Sequence, residues 1–374
     1  MDSLLTRFPR LHSVGVASGN LLLRGDNLRT LKRLSGALLG QVRCVYVDPP
    51  YNNGERYFDY DDRDHEAWLE SQTDVLEELF QLLAVDGSMW ISIDDGEAHH
   101  LKVALDRRLG RCRFVATIVW NQRKSRENRA VFSFNHEYIL VYARSPDAFA
   151  TSRNSLPPTA EILKRYKNPD NDPRGPWQSV SANVQDGHAT PSQFYEIVAP
   201  SGERHTPPNG RCWVYNEAKM KEEIAAGNVW FGKDGRGVPR LKMFLADRSR
   251  GVTPHTLWTA EEVGTTREAK REILKLFPSR QPFDTPKPER LLSRIIQIAS
   301  DPGDLVVDAY LGSGTTAAVA HKLGRRYIGI DSSESAMDLA VRRLRRVVEG
   351  DGVGISDEAG WSGGGGFTVA DGET

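Results

Sequence analysis

Cysteine is scarce in this chain, and long apolar runs and a net charge are missing. The three cysteines among 374 residues lie far apart without a C-x-x-C pair, so neither a disulfide framework nor a zinc site is predicted. No apolar run is long enough to span a membrane and the first residues open no signal peptide, which predicts a cytoplasmic protein that does not bind membranes. No G-x-x-x-x-G-K-[ST] sequence occurs, so no P-loop is predicted. With a net charge of −1, any binding of nucleic acid would depend on local positive patches.

Apolar strand-like segments alternate with helical periodicity on both sides of an irregular middle. This alternation predicts an α/β fold with a doubly wound, mostly parallel sheet. Prolines, glycines and tryptophans accumulate across 151–265, where we predict a separate, irregular β-rich insert. It separates a first half, 1–150, from a second half, 266–348, and the glycine-rich, acidic end 349–374 is predicted to be disordered. The first fifteen residues have little pattern and are interpreted as a basic arm or a frayed end.

The most distinctive segment follows the first buried strand and reads Asp48, Pro49, Pro50, Tyr51. The prolines stiffen the backbone, so the acid and the aromatic ring are held at the carboxyl end of a strand, where ligands bind in open α/β sheets. A carboxylate beside a proline carbonyl offers two acceptors to a planar amine such as adenine N6 or cytosine N4. Accepting both protons makes that nitrogen nucleophilic, and Tyr51 offers a ring on which a base can stack. The alternative is an ordinary strand-to-loop turn. The polar run 52–64 is typical of a flap over a site.

A second constellation lies near the other end of the chain, in a tight turn between a predicted strand and a predicted helix. Its residues are Gly312, Ser313, Gly314, Thr315 and Thr316, between Asp308 and Asp331, which end two predicted strands. Glycines let the backbone approach a nucleotide-like group, and an acid at the next strand end binds ribose hydroxyls. Alone, this pattern permits a nicotinamide dehydrogenase. However, Asp308 suits a ligand ammonium better than a pyrophosphate, which favours S-adenosylmethionine.

Two basic segments are predicted to contact the phosphates of nucleic acid, although a plain solvated surface remains an alternative for each. One is a connecting loop with Arg123, Lys124, Arg126 and Arg129. The other lies in the insert, where aromatic residues are interleaved with Arg236, Arg240 and Lys242.

Taken together, these motifs resemble the β-class DNA amino-methyltransferases, and within that class the methylation subunits of type III restriction–modification systems. The residues that carry the likeness are Leu23–Leu28, Asp48–Tyr51, Ser92–Asp95, Asn135–Tyr142, Asn171–Gly175, Val238–Lys242, Lys287-Pro288 and Asp308–Thr316. The resemblance implies the methyltransferase sheet in circularly permuted order, catalytic roles for Asp48, Pro49, Pro50 and Tyr51, and an insert that reads DNA sequence. It further implies that S-adenosylmethionine is bound by residues at the carboxyl ends of several strands, namely Asp26, Lys287, Asp308, Tyr310, Gly312, Ser313, Gly314, Thr315, Thr316 and Asp331. A homodimer is common in this family, and a restriction subunit is a possible partner. Tyr310 stands where the family usually has Phe.

The hypothesis is therefore site-specific methyl transfer from S-adenosylmethionine to adenine N6 of a base flipped out of double-stranded DNA, on the nucleoid and without a metal. Cytosine N4 is an alternative target of the same chemistry. A protein glutamine, an RNA base and a DNA-binding module without turnover are further alternatives. A dehydrogenase ranks last, because hydride transfer does not explain Asp48–Tyr51.

Overall fold

The computed structural model describes residues 8–16, 19–52, 64–126, 131–158, 160–248, 251–279 and 285–372. It divides into two compact units. The sheet unit comprises residues 1–154 and 254–374, and the insert unit comprises residues 155–253.

The described strands are β1 (Arg10–Gly15), β2 (Leu21–Arg24), β3 (Val42–Val47), β4 (Leu83–Ile93), β5 (Phe114–Trp120), β6 (Glu137–Ala143), β7 (Trp177–Ser181), β8 (Asn183–Gln185), β9 (Ile197–Val198), β10 (Arg204–His205), β11 (Arg211–Trp213), β12 (Val229–Trp230), β13 (Arg240–Phe244), β14 (Leu257–Trp258), β15 (Leu305–Asp308), β16 (Arg326–Asp331) and β17 (Gly366–Asp371). The described α-helices are α1 (Asn27–Leu38), α2 (His65–Leu82), α3 (Ala98–Leu105), α4 (Pro146–Ser152), α5 (Ala160–Leu163), α6 (Glu217–Ala225), α7 (Ala260–Val263), α8 (Thr266–Leu276), α9 (Glu289–Ala299), α10 (Thr315–Lys322) and α11 (Glu334–Glu349).

The sheet unit is built on one large sheet with the strand order β1-β17-β2-β16-β15-β3-β4-β6-β5-β14. Among the described strands, β1 and β6 run antiparallel to their neighbours, and the run from β17 to β4 is parallel throughout. The predicted α/β class with a mostly parallel sheet is confirmed. Its central strands are almost wholly buried and half of their residues are Val, Leu or Ile, as expected for strands covered on both faces.

Strands β3 and β15 lie side by side in this sheet, although more than two hundred residues separate them along the chain. Val306 pairs with Cys44 and Val307 with Val45 in parallel register. The carboxyl ends of both strands therefore meet at one edge of the sheet, with the end of β16 next to that of β15. This topology brings the two predicted motifs together.

The insert unit consists of short strands, in keeping with the predicted irregular β-rich insert. Strands β12, β13 and β7 form one antiparallel sheet, while β8 pairs with β11 and β9 with β10. Its separate small core includes Trp213, Met220 and Phe231. The predicted boundary at 265 is too late, because β14 pairs with β5 in the large sheet and its Trp258 is fully buried there. A two-residue strand has no periodicity from which it could have been recognised.

The prediction of disorder from 349 onward is wrong for residues 349–372. Strand β17 lies inside the large sheet, parallel to β2 and antiparallel to β1. The segment before it is held by the buried Glu289, whose Oε2 accepts a hydrogen bond from Ile355 N at 3.0 Å. Gly354 has a φ of +64°, and a Cβ there would collide with the Glu289 carboxylate, so a glycine is required. Residues 10–15, which were also predicted to lack regular structure, form β1.

Within the described residues, no helix combines the length and apolar character needed to cross a membrane. The same part of the chain contains no group of three or more His, Cys, Asp or Glu side chains arranged to hold a metal ion.

Candidate active site

The predicted amine-binding segment follows directly on β3 and is held by side chains from neighbouring helices. Trp68 Nε1 of α2 donates to the Pro50 carbonyl oxygen at 2.8 Å. Asn52 adopts a left-handed backbone conformation with a φ of 55°, and its Nδ2 donates to Glu97 Oε1 at 3.0 Å. Such a conformation is costly for a non-glycine residue and persists only where its surroundings hold it. The turn that carries Asp48 is therefore held by hydrogen bonds from Trp68 and to Glu97.

Four side chains meet at this turn and form what we call the carboxylate cluster: Asp48, Tyr51, Glu137 and Lys287. Tyr51 Oη lies 2.8 Å from Asp48 Oδ1 and 3.0 Å from Glu137 Oε2. Lys287 Nζ donates to both carboxylate oxygens of Asp48 at 2.7 Å and lies 3.5 Å from Glu137 Oε2. The ammonium also faces the rings of Tyr51 and Trp120, at 5.1 and 5.9 Å from their centroids.

Burial and charge set the protonation states of the carboxylate cluster. Burial raises the pKa of the Tyr51 phenol well above its ordinary value, and the Asp48 and Glu137 carboxylates raise it further, so Tyr51 is neutral. Burial also raises the pKa of Glu137, against the opposing effect of the Lys287 ammonium. Burial alone would lower the pKa of Lys287, but the two carboxylates outweigh it and the pKa is raised. Lys287 is therefore a buried cation shared by two carboxylates.

The glycine turn lies between β15 and α10, at the same edge of the sheet. Gly312 and Gly314 have φ values of 51° and 75°, which side-chain-bearing residues rarely adopt. A Cβ at Gly314 would also come within 2.9 Å of Ala340 Cβ on α11. Asp331, at the end of β16, accepts a hydrogen bond from Gly312 N at 2.7 Å. The turn is thus shaped by its own glycines and fastened to the next strand.

Asp308 is buried at the end of β15 and closes the other side of the turn. Its carboxylate accepts hydrogen bonds from Thr316 Oγ1 at 2.6 Å and from Tyr310 N at 2.9 Å. Burial raises the pKa of Asp308 to about 7 although these hydrogen bonds oppose the rise, and the nearby charges of Asp48 and Asp331 add to it. The Tyr310 hydroxyl donates to Gln72 of α2, an interaction that a phenylalanine could not make.

The remaining hydroxyls of the turn are also bonded within the chain. Ser313 Oγ lies 3.1 Å from Thr315 Oγ1, which accepts a hydrogen bond from Arg343 Nη1 at 2.7 Å. Arg343 is fully buried and its Nη2 bonds to Glu289 Oε1 at 2.8 Å. The hydroxyls of Ser313, Thr315 and Thr316 thus hold the turn against α11 and the end of β15.

Acids therefore follow four neighbouring strands at one edge of the sheet: Asp26 after β2, Asp331 at the end of β16, Asp308 at the end of β15 and Asp48 after β3. Asp26 caps α1 by accepting from Arg29 N at 2.9 Å. Such a row repels a pyrophosphate and attracts a ligand with positive charge. S-adenosylmethionine, which carries a sulfonium and an ammonium, fits this charge better than a nicotinamide dinucleotide does.

The basic residues predicted to contact DNA have different placements. Those with exposed side chains are Arg123, Lys124, Arg126, Arg236 and Arg240. Lys242 was also predicted to contact DNA, but the structure contradicts this. Its side chain is 7% exposed, and its Nζ is paired with Asp172 Oδ2 at 2.8 Å and with Asp170. A lysine buried in two ion pairs is not available to a phosphate. Arg129 and nearly all of the predicted flap, 53–63, lie outside the described residues.

Two residues of the site were not identified from the sequence. Glu137 belongs to one of the motifs that carry the family resemblance, but no role was assigned to it, although an acid at the start of an apolar strand is a usable signal. Arg343 looks like one of several surface arginines on α11, and only its burial distinguishes it.

A family model described as DNA methylase matches residues 42–342, which is most of the chain. The chain belongs to the DNA methylase family. The chain is 35% identical to the Mod subunit of the type III restriction–modification enzyme StyLTI from Salmonella typhimurium strain LT2, over 80% of its own length and 49% of that protein. It is 28% identical to the EcoPI Mod subunit of Escherichia phage P1, over 81% of the chain and 55% of that protein. With the type II methyltransferase M.EcaI of Enterobacter cloacae the identity is 30%, over 90% of the chain and 72% of that protein.

The chain spans about half the length of the type III subunits that it matches. Among solved structures, the cytosine-N4-specific PvuII DNA methyltransferase aligns with a TM-score of 0.47 and 13% identity, over 88% of this chain and 87% of that one. The resemblance to a DNA amino-methyltransferase that the sequence motifs carry is confirmed at the level of the family.

Proposed function

We propose that the methylase transfers a methyl group from S-adenosylmethionine to N6 of an adenine in double-stranded DNA. The observation that carries this proposal is the pairing of Asp48 with an N–H donor beside the glycine turn. Both Asp48 oxygens accept hydrogen bonds from the Lys287 ammonium at 2.7 Å, so this carboxylate is already shaped to bind an amine. The strand that carries it neighbours the strand that carries the glycine turn.

In this proposal, the cofactor is held by acids at the carboxyl ends of the strands, by the glycine turn and by Lys287: Asp26, Lys287, Asp308, Tyr310, Gly312, Ser313, Gly314, Thr315, Thr316 and Asp331. The buried Asp308 carboxyl, with a pKa of about 7, ionises fully when a cationic group binds beside it. S-adenosylmethionine, when bound, supplies the methyl group as an electrophile.

The carboxylate cluster then acts on the target amine. The base stacks on Tyr51, while Asp48 and the Pro49 carbonyl accept its two amine protons and leave the nitrogen lone pair available. When the methyl group is transferred, S-adenosylhomocysteine is the leaving group. The methylated amine then carries a positive charge until it loses a proton, which this proposal assigns to Asp48. Asp48 and Glu137 stabilise that charge as they stabilise the Lys287 ammonium in this structure. Much of the rate arises from positioning and electrostatics, and no metal is required.

The insert unit is proposed to recognise the DNA sequence. Arg236 and Arg240 expose two cations on this unit, and the connection between β5 and β6 exposes further ones on the sheet unit. These side chains suit contacts to phosphates, which position a protein on DNA without reading its sequence.

The partners of the methylase are proposed from its relatives. A homodimer is expected, and the match to Mod subunits of type III enzymes supports a restriction subunit as a further partner. Light scattering after size-exclusion chromatography measures the first, and co-purification with a restriction subunit expressed together with the chain tests the second. The site of action is proposed to be the nucleoid.

The decisive test is Asp48→Ala, assayed with tritiated S-adenosylmethionine on DNA from an unmethylated strain. We expect methyl transfer to fall by roughly a thousandfold or more, because the acceptor for the amine is lost, whereas cofactor affinity measured by calorimetry stays within about threefold of wild type. Asp95→Ala is the matched control, since Asp95 is an acid near the same edge but outside the carboxylate cluster. Transfer by Asp48→Ala within about tenfold of wild type contradicts the proposal.

Mass spectrometry of the methylated nucleosides separates the remaining possibilities. N6-methyladenine supports the proposal, and N4-methylcytosine reassigns the same chemistry to cytosine. DNA binding without incorporation of tritium identifies a binding module without turnover. Single-molecule sequencing of DNA from cells that express the chain then gives the recognition sequence.

A further inference from the structure

The connection between β5 and β6 presents large apolar side chains to solvent. Phe132 is 78% exposed and Phe134 is 63% exposed, and Val131 next to them is also exposed. An exposed phenylalanine is unfavourable in water, and two of them close together in one loop mark a surface that is covered when a partner binds. Nothing in the carboxylate cluster or the glycine turn uses these rings.

Hydrogen bonds between its two ends hold the loop that carries these residues. Asn135 Nδ2 donates to the carbonyl oxygens of Arg123 and Ser125 at 2.9 Å, and Asn121 Nδ2 donates to the Asn135 carbonyl oxygen at 3.0 Å. Arg123 N also donates to the Asn135 carbonyl oxygen at 3.3 Å. Hydrogen bonds thus join the two segments of the connection, 121–126 and 131–136. We call these two segments, which carry the exposed phenylalanines, the platform.

This platform lies close to the carboxylate cluster. Glu137, whose carboxylate bonds to Tyr51, is three residues beyond Phe134, so at most about 10 Å of chain separates the two. A base that rotates out of a duplex into a pocket moves by a distance of this order. The exposed rings are therefore close enough to the carboxylate cluster to contact the base pairs next to a flipped target base.

The charge of the same loop indicates which partner covers the rings. Arg123, Lys124 and Arg126 are all exposed on the first arm, and cations beside aromatic rings match the alternation of phosphates and bases in nucleic acid. Lys124 is paired with Glu261 at 2.8 Å, but both side chains are more than half exposed, so the pair exchanges readily with a phosphate.

We propose that Phe132 and Phe134 enter the base stack of duplex DNA at the target position and occupy the space left by the flipped base, while Arg123, Lys124 and Arg126 hold the adjacent phosphates. Apolar side chains that enter a base step compensate for the stacking that is lost there. This proposal rests on the proposed function, because it assigns to the loop the step that delivers a base to Asp48.

The test compares two duplexes that contain the recognition sequence. In one, the target adenine is paired. In the other, it lies opposite an abasic site and is therefore already unpaired. We expect the double variant Phe132→Ala, Phe134→Ala to lose roughly tenfold or more in kcat/KM on the paired duplex and to regain nearly wild-type activity on the abasic duplex. Leu39→Ala is the matched control, because Leu39 is 62% exposed at the amino end of β3, away from the site, and we expect it to behave as wild type on both.

A second readout does not depend on methyl transfer. With 2-aminopurine at the target position, wild-type protein should raise the fluorescence on binding, and the double variant should raise it less. If wild type raises the fluorescence of this duplex but incorporates no tritium into the matching duplex with adenine at the target position, the proposed function fails while the role of the loop stands. Equal losses on both duplexes, or no loss on either, overturn the inference. A change in oligomeric state of the double variant also overturns it, since the rings would then contact a second copy of the chain.

Discussion

Lys287 is buried between two carboxylates and two aromatic rings, with a side chain 6% exposed. Its ammonium donates to the same Asp48 oxygens that we assign to the target amine, so a bound base has to share or displace these hydrogen bonds. The charge of Lys287 also opposes the rise in the pKa of Glu137 caused by burial. The residue therefore holds the Asp48 carboxylate by two hydrogen bonds and limits the rise in the pKa of Glu137.

Replacing Lys287 by methionine should change both the pH dependence of the reaction and the stability of the fold. Without the ammonium, the pKa of Glu137 rises further, so its ionised form appears at higher pH and the pH dependence of kcat moves upward. Breaking a buried ion pair should also lower the free energy of unfolding by about 3 kcal/mol. Steady-state kinetics from pH 6 to 9 and urea unfolding measure these outcomes. Arg346→Met, which removes a cation from an exposed pair on α11, is the control and should change neither. An unaltered pH profile for Lys287→Met contradicts the role given to the lysine.

The acids at the edge of the sheet carry a further prediction, which concerns the strand β15 and the turn that follows it. Because Asp308 has a pKa of about 7 and must be ionised to hold a cationic ligand, cofactor affinity should rise as the pH rises through about 7. Binding below that pH should release a proton. Calorimetry at pH 6 to 8 in buffers of different ionisation enthalpy measures both effects. Asp308→Asn should bind more weakly and without this pH dependence, and a wild-type affinity that is constant across the range contradicts the assignment.

Helix α8 is coupled to α9 through Glu272, whose Oε2 accepts from Glu289 N at 3.2 Å. Burial, together with the charge of Glu289, raises the pKa of Glu272 from 4.5 to about 7. Between these values the folded protein binds the proton more tightly than the unfolded chain does. The contribution of Glu272 to stability is therefore present at low pH and is lost as the pH rises from about 4.5 to 7.

Glu272→Gln should remove this dependence. We expect the difference in the free energy of unfolding between variant and wild type to change by about 2 kcal/mol from pH 5 to pH 7.5, in favour of the variant at the higher pH. Denaturant unfolding at the two pH values measures it. Parallel stability curves for the two proteins would show that Glu272 titrates as it does in the unfolded chain.

The large sheet is completed by its two chain ends, since β1 and β17 pair with each other and β17 continues the parallel run next to β2. Phe367, Val369 and Ala370 of β17 are buried in the sheet unit. Burial of each large apolar side chain contributes about 2 kcal/mol, and a domain of this kind is stable by only about 5–15 kcal/mol in total.

Deletion of residues 366–374 should therefore give a protein that is insoluble or that loses cooperative thermal unfolding by circular dichroism. Deletion of residues 373–374 alone is the control, because it leaves β17 intact, and we expect it to unfold as the full chain does. A soluble, cooperatively folding protein without 366–374 would mean that β17 is dispensable to the sheet.

Several parts of this architecture depend on local chemistry and were predicted correctly. The valines of β3, followed shortly by two prolines, predict a buried strand that ends just before the prolines. The glycines of 312–316 predict a turn with positive φ. The apolar periodicity of α9 likewise needs no distant contact to be recognised. The family resemblance rests on these same local features.

The sequence by itself thus determined the strands and turns that carry the chemistry, because turn geometry and side-chain periodicity depend on neighbouring residues. Only the tertiary structure decided which of these segments meet. The pairing of Lys287 with Asp48 joins residues 239 positions apart, and the burial of Lys242 depends on two acids from another part of the insert unit. The glycine-rich end has the composition of a disordered segment, yet it is ordered because Glu289 and strands β1 and β2 offer it hydrogen bonds and a place in the core. Contacts of this kind are set by burial and by pairing across the fold, which no local pattern encodes.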